Sequence, residues 1–358
     1  TLAPTGVDVL EGVRIHGSVT LERPVATVSN VAAYLPGRGA LARQVVIVGA
    51  HYDHVGYGEF GSRTRESAVH PGADDNASGV AGMILAADAL ARISRQAEAD
   101  RRGVLFVAFA GEERGLLGSR HFVENLTDVT VLHRAGLRRD QIAAMVNMDM
   151  IGRLRNNRLN VLGVGTGDAW PAMVEAAAAP HGLDVELGDT GSGRSDDLQF
   201  TLREIPAVHL FTGAHEDYHT PADTADKVDA AAGARIAAMA SDLTLALATR
   251  PQPLAFIEQT AGEHEGVDLG HGARLGIIPD YARSNAGGCM IDQTLPGGPA
   301  DHAGLRSEDV IVGWNGEAID NIHDLMSALA EHNPGDVVTL SVQRADQTLE
   351  LPVTLGSR

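Results

Sequence analysis

Two histidines and four acids within the first 219 residues are spaced where metal chemistry would use them: His51, Asp75, Glu112, Glu113, Asp149 and His219. Each follows an apolar run with the composition of a strand or lies in a loop beside one. Imidazole and carboxylate are zinc donors, and about four of them complete a tetrahedral site. Two imidazoles and three carboxylates exceed that number. They suit two zinc ions that share a carboxylate and a water, with one acid left uncoordinated. A centre of that kind performs hydrolysis.

The local settings differ in how strongly they argue. His51 and Asp53 stand two apart at the end of Val45 to Ala50, where strand alternation aims both to one side. Asp74 and Asp75 precede a helical pattern, so Asp74 or Ser78 would also serve as ordinary N-cap groups. Glu112 and Glu113 follow VLFVAFAG, an unusual place for adjacent acids, although Arg114 would also make an exposed, salt-bridged turn of EER. Asp149 closes AAMVNMD, where a buried unpaired carboxylate is costly and a metal partner removes the cost. Three carboxylates and one hydroxide balance the four positive charges of two zinc ions when both histidines are neutral.

The segments GAHYDHVG (49–56), PGADDNASG (71–79), AFAGEERGLLGS (108–119), NMDMIGR (147–153) and DYHTPADT (217–224) together resemble the dizinc exopeptidases of metallopeptidase family twenty-eight, the bacterial secreted aminopeptidase type. The resemblance covers most of residues 25–250 in the family's order. It implies that His51, Asp75 and Asp149 hold one zinc while Asp75, Glu113 and His219 hold the other, with a strained peptide bond between Asp75 and Asn76. It also implies Glu112 as general base and then acid, and Asp53 as the partner of the second nitrogen of His51. Tyr218 matches a position that donates to the oxyanion in some members, although a tyrosine there also simply packs. Ser195 matches a serine that supports the second histidine. The family's SDH reads Ser195-Asp196-Asp197 here, which alters those surroundings.

The activity implied is removal of N-terminal residues from peptides without a covalent intermediate. A single-zinc acyl transfer of the glutaminyl cyclase type and carboxypeptidase action are alternatives on the same fold. Non-catalytic relatives lose ligands that this chain retains. Met150, after Asp149, is placed to line an apolar pocket, and residues 182–197 belong to the loops expected to shape it. His54, His121, His181, His209, His215 and His323 read as structural or surface residues, and Cys289 as a small buried hydrophobe.

The elements that must position these groups are legible as apolar runs: Val45 to Ala50, Val104 to Ala110, Ile142 to Met148, Leu159 to Val164 and Ala207 to Phe211. Ala-rich stretches from Val80 to Ile93, Trp170 to Ala179 and Ala231 to Ala248 have helical length and composition. Strands alternating with helices predict an α/β domain on a mixed, mostly parallel sheet flanked by helices, the zinc exopeptidase fold. In such sheets ligands bind beyond the carboxyl ends of the strands. GVGTG (163–167) has the wrong spacing for a dinucleotide loop, and Lys227, the sole lysine, is not in a Walker motif.

A net charge of -19 over 358 residues repels phosphate backbones and anionic lipid, so nucleic acid and electrostatic membrane docking are excluded as partners. No apolar run approaches the ~20 residues of a membrane span, and one cysteine permits no internal disulfide. The chain begins at Thr1 without Met or a leader-like run, which reads as a processed, extracytoplasmic form, with residues 1–24 the end of an upstream region.

After the catalytic domain (1–250), residues 251–265 mix prolines and acids and read as a linker. Residues 266–358 form a β-rich unit with strands near Gly288 to Ile291, Val310 to Trp314, Val337 to Arg344 and Leu349 to Val353, and a helix from Ile322 to His332. PGGPADHAGLRSEDVIVGWNGEAI (296–319) resembles the PDZ domains of bacterial proteases. That implies a peptide-binding groove with Leu275, Gly276, Ile277 and Ile278 as its carboxylate loop. Its partners would be C-terminal peptides, beside the peptide substrates of the catalytic domain.

Overall fold

The computed structural model describes residues 26–358 apart from 59–60, 65–66, 97, 127–138, 189–194, 214, 259–272, 280–286, 320–323, 326–327, 330–331, 346 and 358. The expectations for residues 1–24 and His323, and for residues 259–265 of the linker, lie outside the described residues.

The larger unit is a seven-stranded sheet in the order β1-β3-β2-β4-β7-β5-β6. Its strands are β1 (Val31–Leu35), β2 (Val45–His51), β3 (Gly103–Phe109), β4 (Ile142–Met148), β5 (Arg158–Leu162), β6 (Asp184–Gly188) and β7 (Ala207–Phe211). β2 runs parallel to β3 and β4, β4 to β7 and β5 to β6, while β1 and β5 run antiparallel to β3 and β7. The mixed, mostly parallel sheet expected from sequence is present. The central strands β2, β3, β4 and β7 are buried at every residue, so both faces must be covered, and their sequences are apolar runs without alternation.

Helices α1 (Gly79–Gln96), α3 (Trp170–Ala178) and α5 (Ala230–Thr249) cover one face, where Met83, Leu90, Trp170, Ile236 and Leu243 pack on Val46, Val48 and Val146. On the other face, Phe122 of α2 (Leu117–Glu124) and Phe200 of α4 (Asp197–Thr201) meet Phe109 edge-on. By length and composition alone two helical stretches, Ala73–Gln96 and Ala230–Thr249, are apolar enough to cross a bilayer. In the structure their apolar faces lie against the sheet.

The second unit is an antiparallel sheet in the order β14-β13-β11-β10-β9. It comprises β9 (Ile277–Pro279), β10 (Cys289–Thr294), β11 (Val310–Trp314), β13 (Val337–Arg344) and β14 (Gln347–Thr354), with β12 (Glu317–Ala318) on β11 and β8 (Ala273–Arg274) paired to β15 (Gly356–Ser357). Cys289 is buried in its core, as expected. Within the expected helix 324–325, 328–329 and 332 are described; the first four are helical and His332 is not. Leu295, in the turn between β10 and α6 (Pro299–His302), packs with Leu116 and Leu198 of the larger unit.

Candidate metal centre

The parallel strands bring the sequence's metal-binding residues to one rim. His51 is the last residue of β2 and Asp149 the first after β4. Beyond β3 the chain turns at Gly111 (φ +71°), and the Asp53 carboxylate accepts the backbone N–H groups of Glu112 (3.0 Å) and Glu113 (3.3 Å). Asp75 sits in the turn leading into α1. There the N–H groups of Asp74 and Asp75 donate to one oxygen of Asp223, at 2.9 and 3.1 Å. Arg153 holds Asp223 at 3.3 Å and Asp217 at 3.1 Å, on either side of His219, and Asp223 in turn ties that loop to the turn that carries Asp75. The Asn76 amide caps α1 through Gly79 N–H (3.0 Å), accepts from Met150 N–H (3.2 Å) and donates to the Met148 carbonyl (3.1 Å). The Asp75–Asn76 peptide is cis.

Asp75 lies between two donor clusters. Its Oδ1 is 3.2 Å from His51 Nε2 and its Oδ2 is 3.1 Å from His219 Nε2. On the first side, His51 Nε2 lies 3.3 Å from Asp149 Oδ1 and 4.0 Å from Glu112 Oε2. On the second, His219 Nε2 lies 3.0 Å from Glu113 Oε2. His219 Nε2 is buried and makes no hydrogen bond despite those two carboxylates. One nitrogen or oxygen from each of His54, Asp75, Glu113 and His219 lies within 4.8 Å of the others, close enough to hold a cation together. The outer nitrogens are fixed by main-chain carbonyls, His51 Nδ1 donating to Asp53 at 3.1 Å and His219 Nδ1 to Gly61 at 2.7 Å. Such contacts set the tautomer that presents Nε2 inward.

The electrostatics favour a cation. Burial pulls the His51 pKa down, but Asp149 and Glu112 carry it well above the ordinary histidine value. Burial likewise opposes His219, which Asp75 and Glu113 nonetheless raise to about 10. Asp75 is held far below the usual carboxylate range: burial would raise it, and the two histidines outweigh burial. Glu112 is pushed well above its ordinary value by burial first, then by Glu113 and Asp149.

The surroundings differ from the sequence reading in three places. Asp53 meets His51 through its carbonyl, its carboxylate being 3.8 Å from the imidazole and engaged with the Glu112–Glu113 turn. Ser195 is buried and accepts from the Asn147 amide at 2.9 Å, which leaves the support of His219 to Gly61. His54, read as a surface residue, is inside the centre, its Nδ1 2.8 Å from Glu113 Oε1. Tyr218 stacks on the His219 ring at a centroid distance of 3.9 Å and joins Met150, Leu162 and Phe211 in an apolar cluster. Asp196 and Asp197 are fully buried, with Asp197 3.8 Å from His209 and Asp196 raised to about 7 by burial. Sequence reasoning missed Arg153 and Asp223. Their only signal is proximity to the metal-binding motifs, because one lies in NMDMIGR and the other in DYHTPADT.

A mostly parallel sheet whose strand ends hold two donor clusters around one carboxylate defines a metallopeptidase-type centre. Residues 30–244 match the model of peptidase family M28, and the chain belongs to that family; residues 273–355 match a PDZ domain. Among curated relatives, Aminopeptidase YwaD of Bacillus subtilis is 30% identical over 194 residues, covering 51% of this chain and 37% of that protein. The chain thus spans little more than a third of that relative. A probable periplasmic serine endoprotease, DegP-like, of Chlamydia trachomatis is 37% identical over 75 residues, 21% of this chain and 15% of that protein. Among solved structures, BSAP, a zinc aminopeptidase from Bacillus subtilis, aligns with a TM-score of 0.49 at 24% identity, covering 62% of this chain and 51% of that chain.

Proposed function

We propose that this chain is a two-zinc aminopeptidase, with His51, Asp75 and Asp149 holding one ion and Asp75, Glu113 and His219 the other. The observation that carries this reading is the placement of Asp75, one oxygen toward each imidazole. The separate cluster of His51, Glu112 and Asp149 favours two ions over the single zinc of an acyl transferase. The relatives named as aminopeptidases, YwaD and the leucine aminopeptidase 2 of Trichophyton equinum, support the choice of reaction.

Zinc at these positions supplies Lewis acidity for the scissile carbonyl and acidifies water. The chain's own groups do the rest. Glu112, partly buried beside His51, accepts the proton of the attacking water and delivers it to the departing amine. Asp53 keeps Glu112 and Glu113 aimed into the centre through their N–H groups. Tyr218, stacked on His219, is positioned to donate its hydroxyl to developing negative charge. Met150 and Phe211 offer an apolar wall for the substrate side chain. The C-terminal unit binds free C-terminal peptides through the loop Leu275-Gly276-Ile277-Ile278, and the protein works outside the cytoplasm, as the similarity to a periplasmic protease supports.

A panel of aminoacyl amides, N-acetylated peptides and C-amidated peptides, assayed before and after zinc is restored to dialysed protein, tests the reading. Zinc-dependent cleavage of every substrate with a free amine, and of none with a blocked one, is expected. Cleavage that needs a free carboxylate would replace the aminopeptidase with a carboxypeptidase.

A further inference from the structure

The two sides of Asp75 are unequal. Three acidic or imidazole groups besides Asp75 face its Oδ2: His54, Glu113 and His219, with all their donor atoms within 4.8 Å of one another. On the other side, among the described residues, His51, Asp149 and Glu112 cluster, and Glu112 is the acid assigned to proton transfer. The unequal member is His54.

The His54 ring is built into the centre. Its side chain is 10% exposed, and Nδ1 lies 2.8 Å from Glu113 Oε1 and 3.8 Å from Asp75 Oδ2. The loop beneath it is shaped to the ring. Gly72 has φ +59°, and a Cβ there would meet His54 Cγ at 2.6 Å and the Asp75 carbonyl oxygen at 2.3 Å. The ring also stands edge-on to His219, with centroids 5.4 Å apart and planes at 78°. Two imidazoles on one tetrahedral zinc, each with a bond of about 2.0–2.1 Å, bring their centroids to roughly 5 Å. Nε2 is buried without a hydrogen-bond partner whichever nitrogen carries the proton, so it does not discriminate between a ligand and a hydrogen-bond donor.

We infer that His54 Nδ1 is a fourth protein donor to the ion held by Asp75, Glu113 and His219, an inference that rests on the two-ion reading above. The consequence is an asymmetric centre. Four protein groups close a zinc site, whereas three leave a position open. The ion with His54 becomes the tightly held partner, and the ion at His51 and Asp149 keeps the free position at which substrate is engaged.

Cadmium-113 loaded into the intact chain with nitrogen-15 histidine tests this without reference to activity. Two cadmium resonances are expected, one split by two imidazole nitrogens and the other by one. Splitting of each by a single nitrogen would overturn the inference and leave His54 as a hydrogen-bond donor to Glu113. A single cadmium per chain would instead defeat the two-ion reading, and loss of one coupling in His54→Ala would still decide for His54, its retention against. In His54→Ala, checked for native circular dichroism, the doubly split resonance should keep one coupling and its site should bind zinc about 10- to 100-fold more weakly. The variant His70→Gln, which alters the neighbouring ring 6.5 Å away, should leave both patterns unchanged.

Discussion

The larger sheet gathers titratable side chains at one rim, whereas the smaller sheet, in the carboxylate-loop reading proposed above, would act through its backbone. In the first, four buried parallel strands end at one rim and each delivers an acid or an imidazole there or on the loop that follows. In the second, β9 is the outermost strand, and nothing pairs its far side among the described residues. Its loop is turned inward by main-chain bonds, the Gly276 carbonyl accepting from Leu295 and the Leu275 carbonyl from Ala300, both at 2.9 Å. Gly276 has φ +77°, and Pro299 stands 3.1 Å from where its Cβ would be. Removing one carboxylate should therefore disable the first unit, whereas the second should respond to the backbone and to the terminus of its ligand.

Asp75→Ala should give the largest effect, since it removes a donor from both clusters. Activity should fall to background and zinc from two per chain to less than one, whereas loss of either histidine alone should spare one ion. Asp74 is the control for which acid is shared. Its Oδ1 is spent on Gly152 N–H (2.6 Å) and Ser78 (2.9 Å), and its Oδ2 faces His215 Nε2 at 3.2 Å, away from His51 and His219. Asp74→Asn should retain both ions, and the reverse pattern in zinc analysis would mean that Asp74 is the shared acid.

Next in size is Tyr218→Phe, which deletes a hydroxyl and keeps the ring stacked on His219. A loss of ~10²-fold in kcat with KM little changed fits an oxyanion donor. An unchanged kcat would make Tyr218 a packing residue only.

The pH response should also separate the units. His219 is raised from the ordinary histidine value to about 10. Metal-free protein therefore gains stability from it that is complete below about pH 6.5 and is lost as pH rises through about 10. Zinc must displace that proton, so the apparent zinc affinity should climb across the same interval. Melting of metal-free and zinc-loaded protein from pH 6 to 10 should give opposite trends. Parallel trends would mean that His219 does not bind the metal.

The smallest effect on catalysis is expected from the second unit. A chain ending at residue 255 should cleave small aminoacyl amides about as well as the full chain. Residues 266–356 alone should bind peptides with free hydrophobic C-termini and lose them on C-terminal amidation, read by calorimetry. Equal binding of the amide excludes carboxylate capture. A folded but inactive shorter chain would show that the Leu295 contact with Leu116 and Leu198 shapes the catalytic rim.

The strands that carry the metal-binding residues were legible because full burial forces apolar runs; β4 and β7 match their sequence limits at both ends. β1 and β6 escaped notice because they flank the sheet, half exposed, with mixed patterns of five residues each. All six principal groups were readable as motifs. His54 was not, because a histidine three residues past a strand reveals nothing of a loop folded over Gly72. The second contacts of His51 and His219 were also hidden, since both run to main-chain carbonyls that any residue supplies. Asp53 was visible as the partner of His51 Nδ1, which its carbonyl meets; hidden was the second task of its carboxylate, which holds N–H groups of the Glu112 turn, 59 and 60 residues away.

Glu112 is the point at which metal binding and proton transfer part company, and Glu112→Gln tests that division most directly. The side chain is partly buried, 4.0 Å from His51 Nε2, and it groups with His51 and Asp149. Zinc per chain and kcat, measured on the same preparation, should show two ions retained and turnover reduced by ~10²-fold or more. Loss of zinc in step with activity would make Glu112 a ligand and contradict the account.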